Sequence, residues 1–347
     1  MLKISIVIPQ YNRIKLLLKS LKIIESVDYP DLEVVVSDDG SSDNTEEEIT
    51  KLQKSYPHNL IYHRNQVNLG YDRNFRQCIE LATGDYALVI GNDDTINGTN
   101  AIHYLNKFLL DNDQPEVGFC NFLEDRTGET NIRRANSTGI MGTGPNLALN
   151  NYSCFSFVGG LIYKKSAFNK YNTDRYDGSI YSQIYLATLM VASGQRMFSI
   201  EEPLIIKDLL LDGKFRHSYR DRIAKKWSDY KIVDGGMLSV INVLHCSFKD
   251  AEVLDNDKRI KIFRKIYTTT LPHWVLDYKS NNALPMSFGI IQGMWPFKSI
   301  WYKELKLIQQ IEILLRYFVF NTVALILPSR LFEKFKTKLY NKMKAQN

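Results

Sequence analysis

The amino-acid sequence predicts an α/β fold, a mostly parallel sheet flanked by helices, followed by a helical C-terminal region. Three observations carry that expectation. Short β-branched apolar runs alternate with segments whose apolar residues recur at helical spacing. Acidic and amide residues cluster where several of those runs stop. Beyond about Ser218 the strand pattern gives way to long helical segments, so a boundary near 217 divides the chain into residues 1–217 and 218–347.

Lys3 to Pro9 reads as a buried strand, because it is apolar, β-branched and closed by proline. A helix follows from about Arg13 to Ser26, with Leu17, Leu21 and Ile24 at i, i+4 and i+7. Glu33–Asp38 is the second strand, Asp43 caps a helix through about Ser55, and Leu60–His63 is the third strand. The next helix, about Asp72 to Ala82, stops at Thr83-Gly84. Asp85–Ile90 is a fourth strand, a helix spans about Ala101–Leu110, and Val117–Phe122 is a fifth strand. Glu124 to Asn150 has no clear period and reads as a long functional loop. FVGGLIYKK at 157–165 resumes a strand, Ser179–Ala192 is helical, and Met197–Ile206 is extended.

With 44% hydrophobic and 24% charged residues, the 347-residue chain has the composition of a folded globular protein, not a disordered one. Its formal net charge of +6 sits almost entirely in the tail, where Arg330 and five lysines stand against Glu333. A nucleic-acid partner is not expected, since these basic residues lie beside an apolar helix without aromatic stacking platforms. Cys78, Cys120, Cys154 and Cys246 are far apart and form no metal-ligand pattern, as expected of reduced thiols in the cytoplasm. The apolar part of MLKISIVIPQYNR is too short for a signal peptide.

Ligands of open α/β sheets bind beyond the carboxyl ends of the strands. Pro9-Gln10-Tyr11-Asn12, Asp38-Asp39-Gly40-Ser41 and Gly91-Asn92-Asp93-Asp94 all fall at such ends and are expected to line one crevice. GxGxxG and GxxxxGK[ST] are both absent, so glycines do not cradle phosphate here. A diphosphate can instead be held through a divalent metal, which hard carboxylate oxygens select. Asn92-Asp93-Asp94 fits that role, and it fits equally the N-cap of a following helix.

SIVIPQYNR, VVVSDDGSSDNT, NLGYDRN, GDYALVIGNDD and FVGGLIYKKS, in this order, resemble the signature blocks of family 2 glycosyltransferases with the GT-A fold. The resemblance covers about residues 3–207, and YSQIYLATLMVASG is similar to bacterial transferases that build capsule and O-antigen polysaccharides. It implies that Asp39 accepts from a nucleobase edge, that Pro9, Tyr11 and Asn12 belong to the loop against the base, and that Asp38 joins the nucleotide site; for Asp38 a turn stabiliser is an equal reading. Asn68, Arg73 and Asn74 match the segment beside the nucleotide; for Arg73 a surface helix cation is an equal reading. Asp94 then binds Mn or Mg, and Asp93 the ribose or the metal shell. The donor implied is a nucleoside-diphosphate sugar, UDP-sugars first, and the acceptor a glycan or polyprenyl-linked glycan.

The implied chemistry is a single, non-processive inverting displacement with the nucleoside diphosphate leaving. Relatives carry a Glu-Asp pair where this chain has Ser182-Gln183, and glutamine cannot act as a general base. Asp177 is the nearest substitute, with Asp174 behind it, and His217 is a candidate metal or diphosphate ligand. The contrasting class is a non-catalytic sugar-nucleotide or glycan-binding module, for which Gln183 is the argument. Ile311 to Leu327 is apolar but interrupted by Glu312, Arg316 and Asn321, short of a confident membrane span. With the basic tail it suggests a helix on the inner face of the cell membrane; a buried bundle helix or a homo-oligomer contact accounts for it equally.

Overall fold

Strand and helix alternate through the first half of the computed structural model, which describes residues 1–213 and 237–344. β1 (Ile4–Gln10), α1 (Ile14–Ile24), β2 (Leu32–Asp38), α2 (Thr45–Gln53), β3 (Asn59–Arg64), α3 (Tyr71–Leu81) and β4 (Tyr86–Val89) come first. They are followed by β5 (Thr95–Ile96), α4 (Ala101–Asp111), β6 (Val117–Glu124), β7 (Gly139–Gly142) and α5 (Pro145–Asn151). β8 (Leu161–Lys164), α6 (Lys165–Tyr171), α7 (Ser182–Ala192) and β9 (Met197–Lys207) complete the sheet region. The described C-terminal residues form α8 (Met237–Asp250), α9 (Asn256–Lys265), α10 (Leu271–Ser280), α11 (Leu284–Gly293), α12 (Ile300–Lys303), α13 (Leu307–Ile326) and α14 (Ser329–Lys344).

The strand order is β3-β2-β1-β4-β8-β6-β9-β5, with β7 against β9. β3, β2, β1 and β4 are parallel, in a register that brings Gln10, Asp38 and Arg64 to one edge. The order reverses at β1, between β2 and β4, which opens a crevice at that edge. β8 runs antiparallel to β4, with Leu161 opposite Val89. It therefore starts at the crevice edge and puts Gly159 and Gly160 there.

Alternation sorts each strand between two cores. Ile4, Ile6 and Ile8 of β1 join Val34, Val36, Leu88 and the apolar stripe of α1 on one face. Val7, Val35, Ala87 and Val89 meet Phe75 of α3 and the α7 side chains on the other. Each of these buried Ile, Val and Leu side chains contributes about 1.5–3 kcal/mol through lost water contact. Every residue of α7 is buried, as expected of a helix that is apolar on all sides. The second core continues through α7 into Leu244 of α8, Tyr267 and Ile313 of α13, so the C-terminal helices close over the sheet.

Three differences from the sequence expectation have local causes. The region 124–150 holds β7 and α5, and α5 starts with proline at its first turn, after Gly144. The strand expected at 157–165 is confined to Leu161–Lys164 because the backbone turns at Gly160, with φ +78°. The helix expected from Ser179 starts at Ser182, since Ile180 has φ +58°. The boundary expected near 217 falls outside the described residues.

Candidate active site

Asp38 and Asp39 are neighbours in sequence and do different work. Asp38 is fully buried; its Oδ1 accepts from Ser41 N (3.0 Å) and Ser41 Oγ (2.5 Å), and its Oδ2 from Tyr62 Oη (2.8 Å). These bonds clamp the turn to β3, as a turn-stabilising aspartate would. Asp39, 3% exposed, accepts at Oδ1 from Leu69 N (2.8 Å) and Asn65 Nδ2 (3.1 Å), and at Oδ2 from Gly70 N (3.0 Å). One of its roughly four acceptor positions is left for a ligand.

The acidic turn is braced from both sides. Asn12, at φ +50°, donates its N–H to Ser41 Oγ (2.9 Å) and accepts at Oδ1 from Ser42 N (2.7 Å). Tyr11 beside it is 43% exposed, and Pro9 is half-buried in β1. Gly40 has φ +71°, and a Cβ there would lie 3.1 Å from the Val67 carbonyl carbon, so glycine lets the two loops touch. Asn68 is exposed and accepts from Gly70 N (3.1 Å). Arg73, by contrast, is spent on Glu80 (2.7 Å), as a helix-surface cation would be. Asn74 is buried between Ser37 Oγ (2.7 Å) and the Gln10 carbonyl (3.3 Å), so it fastens α3 to the sheet.

The Asn92-Asp93-Asp94 turn follows β4. Asn92 Nδ2 donates to Gln10 Oε1 (2.8 Å), tying this turn to the end of β1. Asp94 is 2% exposed; its Oδ2 accepts from Gly91 N (3.0 Å) and its Oδ1 from Asp208 N (3.1 Å). A Cβ on Gly159 would come within 2.5 Å of Asp94 Oδ2, so only glycine there leaves the carboxylate its place. Asp93 pairs with Arg13, and its carbonyl accepts from Leu209 N (2.7 Å). Burial raises the Asp94 carboxyl pKa well above the usual range, and repulsion from Asp93 and Asp208 adds to it. Burial also raises Asp93, against the pull of Arg13. Ionising both carboxyls is therefore costly here, more so than Arg13 offsets.

The start of α7 is held by a residue the sequence reading missed. Asp72 of α3, 2% exposed, accepts from Ile180 N (2.6 Å) and Ser182 N (3.1 Å), satisfying orphan donors at a helix N-terminus. Burial nevertheless raises its pKa. Asp177 lies in the preceding loop, bound at both oxygens by the buried Arg76, with Nε at 2.8 Å and Nη2 at 2.5 Å. Its side chain is 23% exposed, whereas Gln183 is buried. Asp177 is thus held in an ion pair with Arg76. Asp174 is exposed. His217 lies outside the described residues.

Residues 5–171 match the family described as Glycosyl transferase family 2. That segment is a family 2 glycosyltransferase domain. The chain is 30% identical over 222 residues to abequosyltransferase RfbV of Salmonella typhimurium, covering 58% of this chain and 66% of that protein. It is 33% identical over 94 residues to the GalNAc(5)-diNAcBac-PP-undecaprenol beta-1,3-glucosyltransferase of Campylobacter jejuni, covering 27% of this chain and 30% of that one. The chain thus spans less than two thirds of these relatives' own length. Residues 1–349 of S. aureus TarS in complex with UDP-GlcNAc superpose with a TM-score of 0.60 at 15% identity, over 99% of this chain and 90% of that one. The mannosyltransferase PcManGT from Pyrobaculum calidifontis, in complex with GDP-Man and Mn2+, gives 0.50 at 16% identity, over 99% and 86%. At such identities the likeness shows the fold, which is GT-A.

A second residue missed in the sequence belongs to the glycosyltransferase's scaffold. Arg134, 2% exposed and within the segment read as a loop, donates to the carbonyls of Cys120 (2.7 Å), Phe157 (2.9 Å) and Gly159. It lies against the rings of Phe119, Phe122 and Phe157. A buried guanidinium thereby fixes the glycine that abuts Asp94. Nothing in the local sequence pattern distinguishes Arg134 from Arg133, whose side chain is half exposed.

Proposed function

We propose that the chain transfers a sugar from a nucleoside-diphosphate sugar to a hydroxyl of a surface-polysaccharide acceptor, with inversion at the anomeric carbon. The observation that carries this reading is the convergence, at one end of the sheet, of the Asp39 loop with the Asp93-Asp94 turn. In this reading the nucleobase edge takes the open acceptor position of Asp39, Tyr11 covers the base, and the diphosphate lies toward Asp93 and Asp94. UDP is the favoured nucleotide, since TarS is solved in complex with UDP and UDP-GlcNAc. A polyprenyl-linked acceptor is favoured by the Campylobacter relative, whose name specifies an undecaprenol-linked glycan.

The donor set fits a divalent cation in part. Asp93 and Asp94 are hard oxygen donors under mutual repulsion, which a Mn or Mg ion relieves. Among the described residues no group of three or more His, Cys, Asp or Glu is arranged to hold a metal. Donor oxygens and water would complete the shell around Asp94, with Asp93 beside it. The ion, when bound, neutralises charge on the leaving diphosphate.

The chain's own groups supply the rest. The acceptor oxygen attacks the anomeric carbon as the carbon–oxygen bond to the diphosphate breaks, and the hydroxyl proton goes to a carboxylate. Asp177 is assigned that proton, because it is partly exposed while the carboxylate of Asp72 is enclosed and engaged by backbone N–H groups. Arg76 orients Asp177 through bonds to both of its carboxylate oxygens. Release of nucleoside diphosphate from a panel of sugar nucleotides, with and without EDTA, tests the reading. Donor-specific, EDTA-sensitive release is expected; binding of donors without release on any acceptor preparation would contradict transfer.

A further inference from the structure

α13 presents its apolar side to the outside and its charges to the protein. Glu312 receives a two-point ion pair from Arg264 of α9 (2.8 and 2.7 Å), and Arg316 bonds Glu312 (2.8 Å) and Thr268 (2.8 Å). The outward positions recur at three- and four-residue spacing. Ile308 is 73% exposed, Ile311 45%, Leu315 60%, Val319 54%, Val323 53% and Ile326 74%, with Phe318 beside them at 55%. No exposed position of α13 carries a charge. Phe297 is exposed as well, and Trp295 links it to the stripe through ring contacts with Phe297 (5.5 Å) and Phe318 (6.0 Å). A contiguous apolar face of this size marks an interaction surface, where scattered exposed residues would not.

Charge identifies the partner. Lys298, Lys303 and Lys306, just before α13, are exposed, as are Arg330, Lys334 and Lys338 on α14. α14 meets α13 at 100° and exposes Leu331 and Phe335 between those basic residues. We propose that this face rests on a membrane surface rich in anionic lipid, with α13 lying in the interface and basic side chains at both of its ends meeting headgroups. No single helix among the described residues is long and apolar enough to cross a membrane, which suits a helix that lies on one. A second copy of the chain is a poorer occupant. Antiparallel pairing of two α13 helices sets Lys298, Lys303 and Lys306 against Arg330, Lys334 and Lys338, and parallel pairing sets each cluster against itself.

The test is co-sedimentation of the full chain with phosphatidylglycerol/phosphatidylcholine vesicles and with phosphatidylcholine alone, independent of any transfer activity. Binding to the anionic vesicles is expected, weakening with salt and on neutral vesicles. Each basic residue near such a surface contributes about fivefold to partitioning, so Lys334→Glu/Lys338→Glu should lower it at least about 30-fold. Leu315→Glu/Val319→Glu should lower it at least about tenfold through the apolar contact. Absence of binding by the wild type, or binding unchanged by both double variants, overturns the proposal. A dimer in sedimentation velocity that Leu315→Glu/Val319→Glu dissociates while vesicle binding persists overturns it too, and assigns the face to a second copy.

Discussion

Asp39→Asn isolates the nucleoside side of the crevice with a change of almost no volume. The wild-type carboxylate accepts three bonds, two at Oδ1 from Leu69 N and Asn65 Nδ2 and one at Oδ2 from Gly70 N. An amide keeps one acceptor oxygen and points an N–H group at whichever donor remains. With the amide nitrogen at the Oδ2 position, Gly70 N loses its acceptor; turned the other way, Leu69 N and Asn65 Nδ2 lose theirs. At least one charge-assisted bond disappears, a loss of about 1.5–3 kcal/mol. If that loss is expressed in the liganded crevice, affinity for a nucleoside diphosphate falls about ten- to 150-fold. Calorimetric titration with UDP and with pyrophosphate reads this out. UDP affinity should fall in that range while pyrophosphate binding stays within about twofold. UDP affinity equal to wild type refutes the reasoning, and so does an equal loss for pyrophosphate.

Asp94→Asn should weaken donor binding and remove most turnover while leaving the circular dichroism and melting cooperativity intact; wild-type, EDTA-resistant activity would count against the metal reading. Asp177→Asn should lower kcat at least about 100-fold with donor KM little changed, and Asp174→Asn should be milder. Near-normal kcat in Asp177→Asn places the base elsewhere. Glu33 supplies a pH test of the scaffold. Burial opposes its ionisation, but bonds from Ser5, Thr83 and Lys3 outweigh burial and bring its pKa down from 4.5 to about 2. A depressed carboxyl stabilises the fold above its unfolded pKa, and that stability is lost as pH falls from about 4.5 through about 2. The shift corresponds to roughly 3 kcal/mol. Urea midpoints measured from pH 7 down to pH 3 should fall more steeply for the wild type than for Glu33→Gln, and parallel curves would contradict the assignment.

The first four parallel strands were legible because their apolar runs end in turn-forming residues, and the same ends disclosed the crevice. In SDDG only the family resemblance, not the local pattern, told Asp39 from Asp38. Successive strand residues point to opposite sides, so one carboxylate turns under the sheet to Tyr62 and the other toward the loop at 65–70. β7 and α5 are too short to show a period and gain their stability from packing, α5 on α7 and β7 on β9. Asp72, Arg76 and Arg134 act on partners distant in sequence: Asp72 and Arg76 reach the loop before α7, and Arg134 reaches Gly159. An aspartate in the first turn of a helix reads locally as a dipole partner of its own helix. Only the tertiary fold turns it toward another helix's N-terminus.

The central claim is that one crevice, between the Asp39 loop and the Asp93-Asp94 turn, holds the nucleotide. Diffraction from crystals grown with UDP and Mn2+, with anomalous data collected at the manganese edge, addresses it most directly. The account predicts the uracil edge within hydrogen-bond distance, about 3 Å, of Asp39 and a manganese peak bridging the diphosphate and Asp94. A nucleotide seated elsewhere, or a diphosphate remote from the Asp93-Asp94 turn, would contradict it.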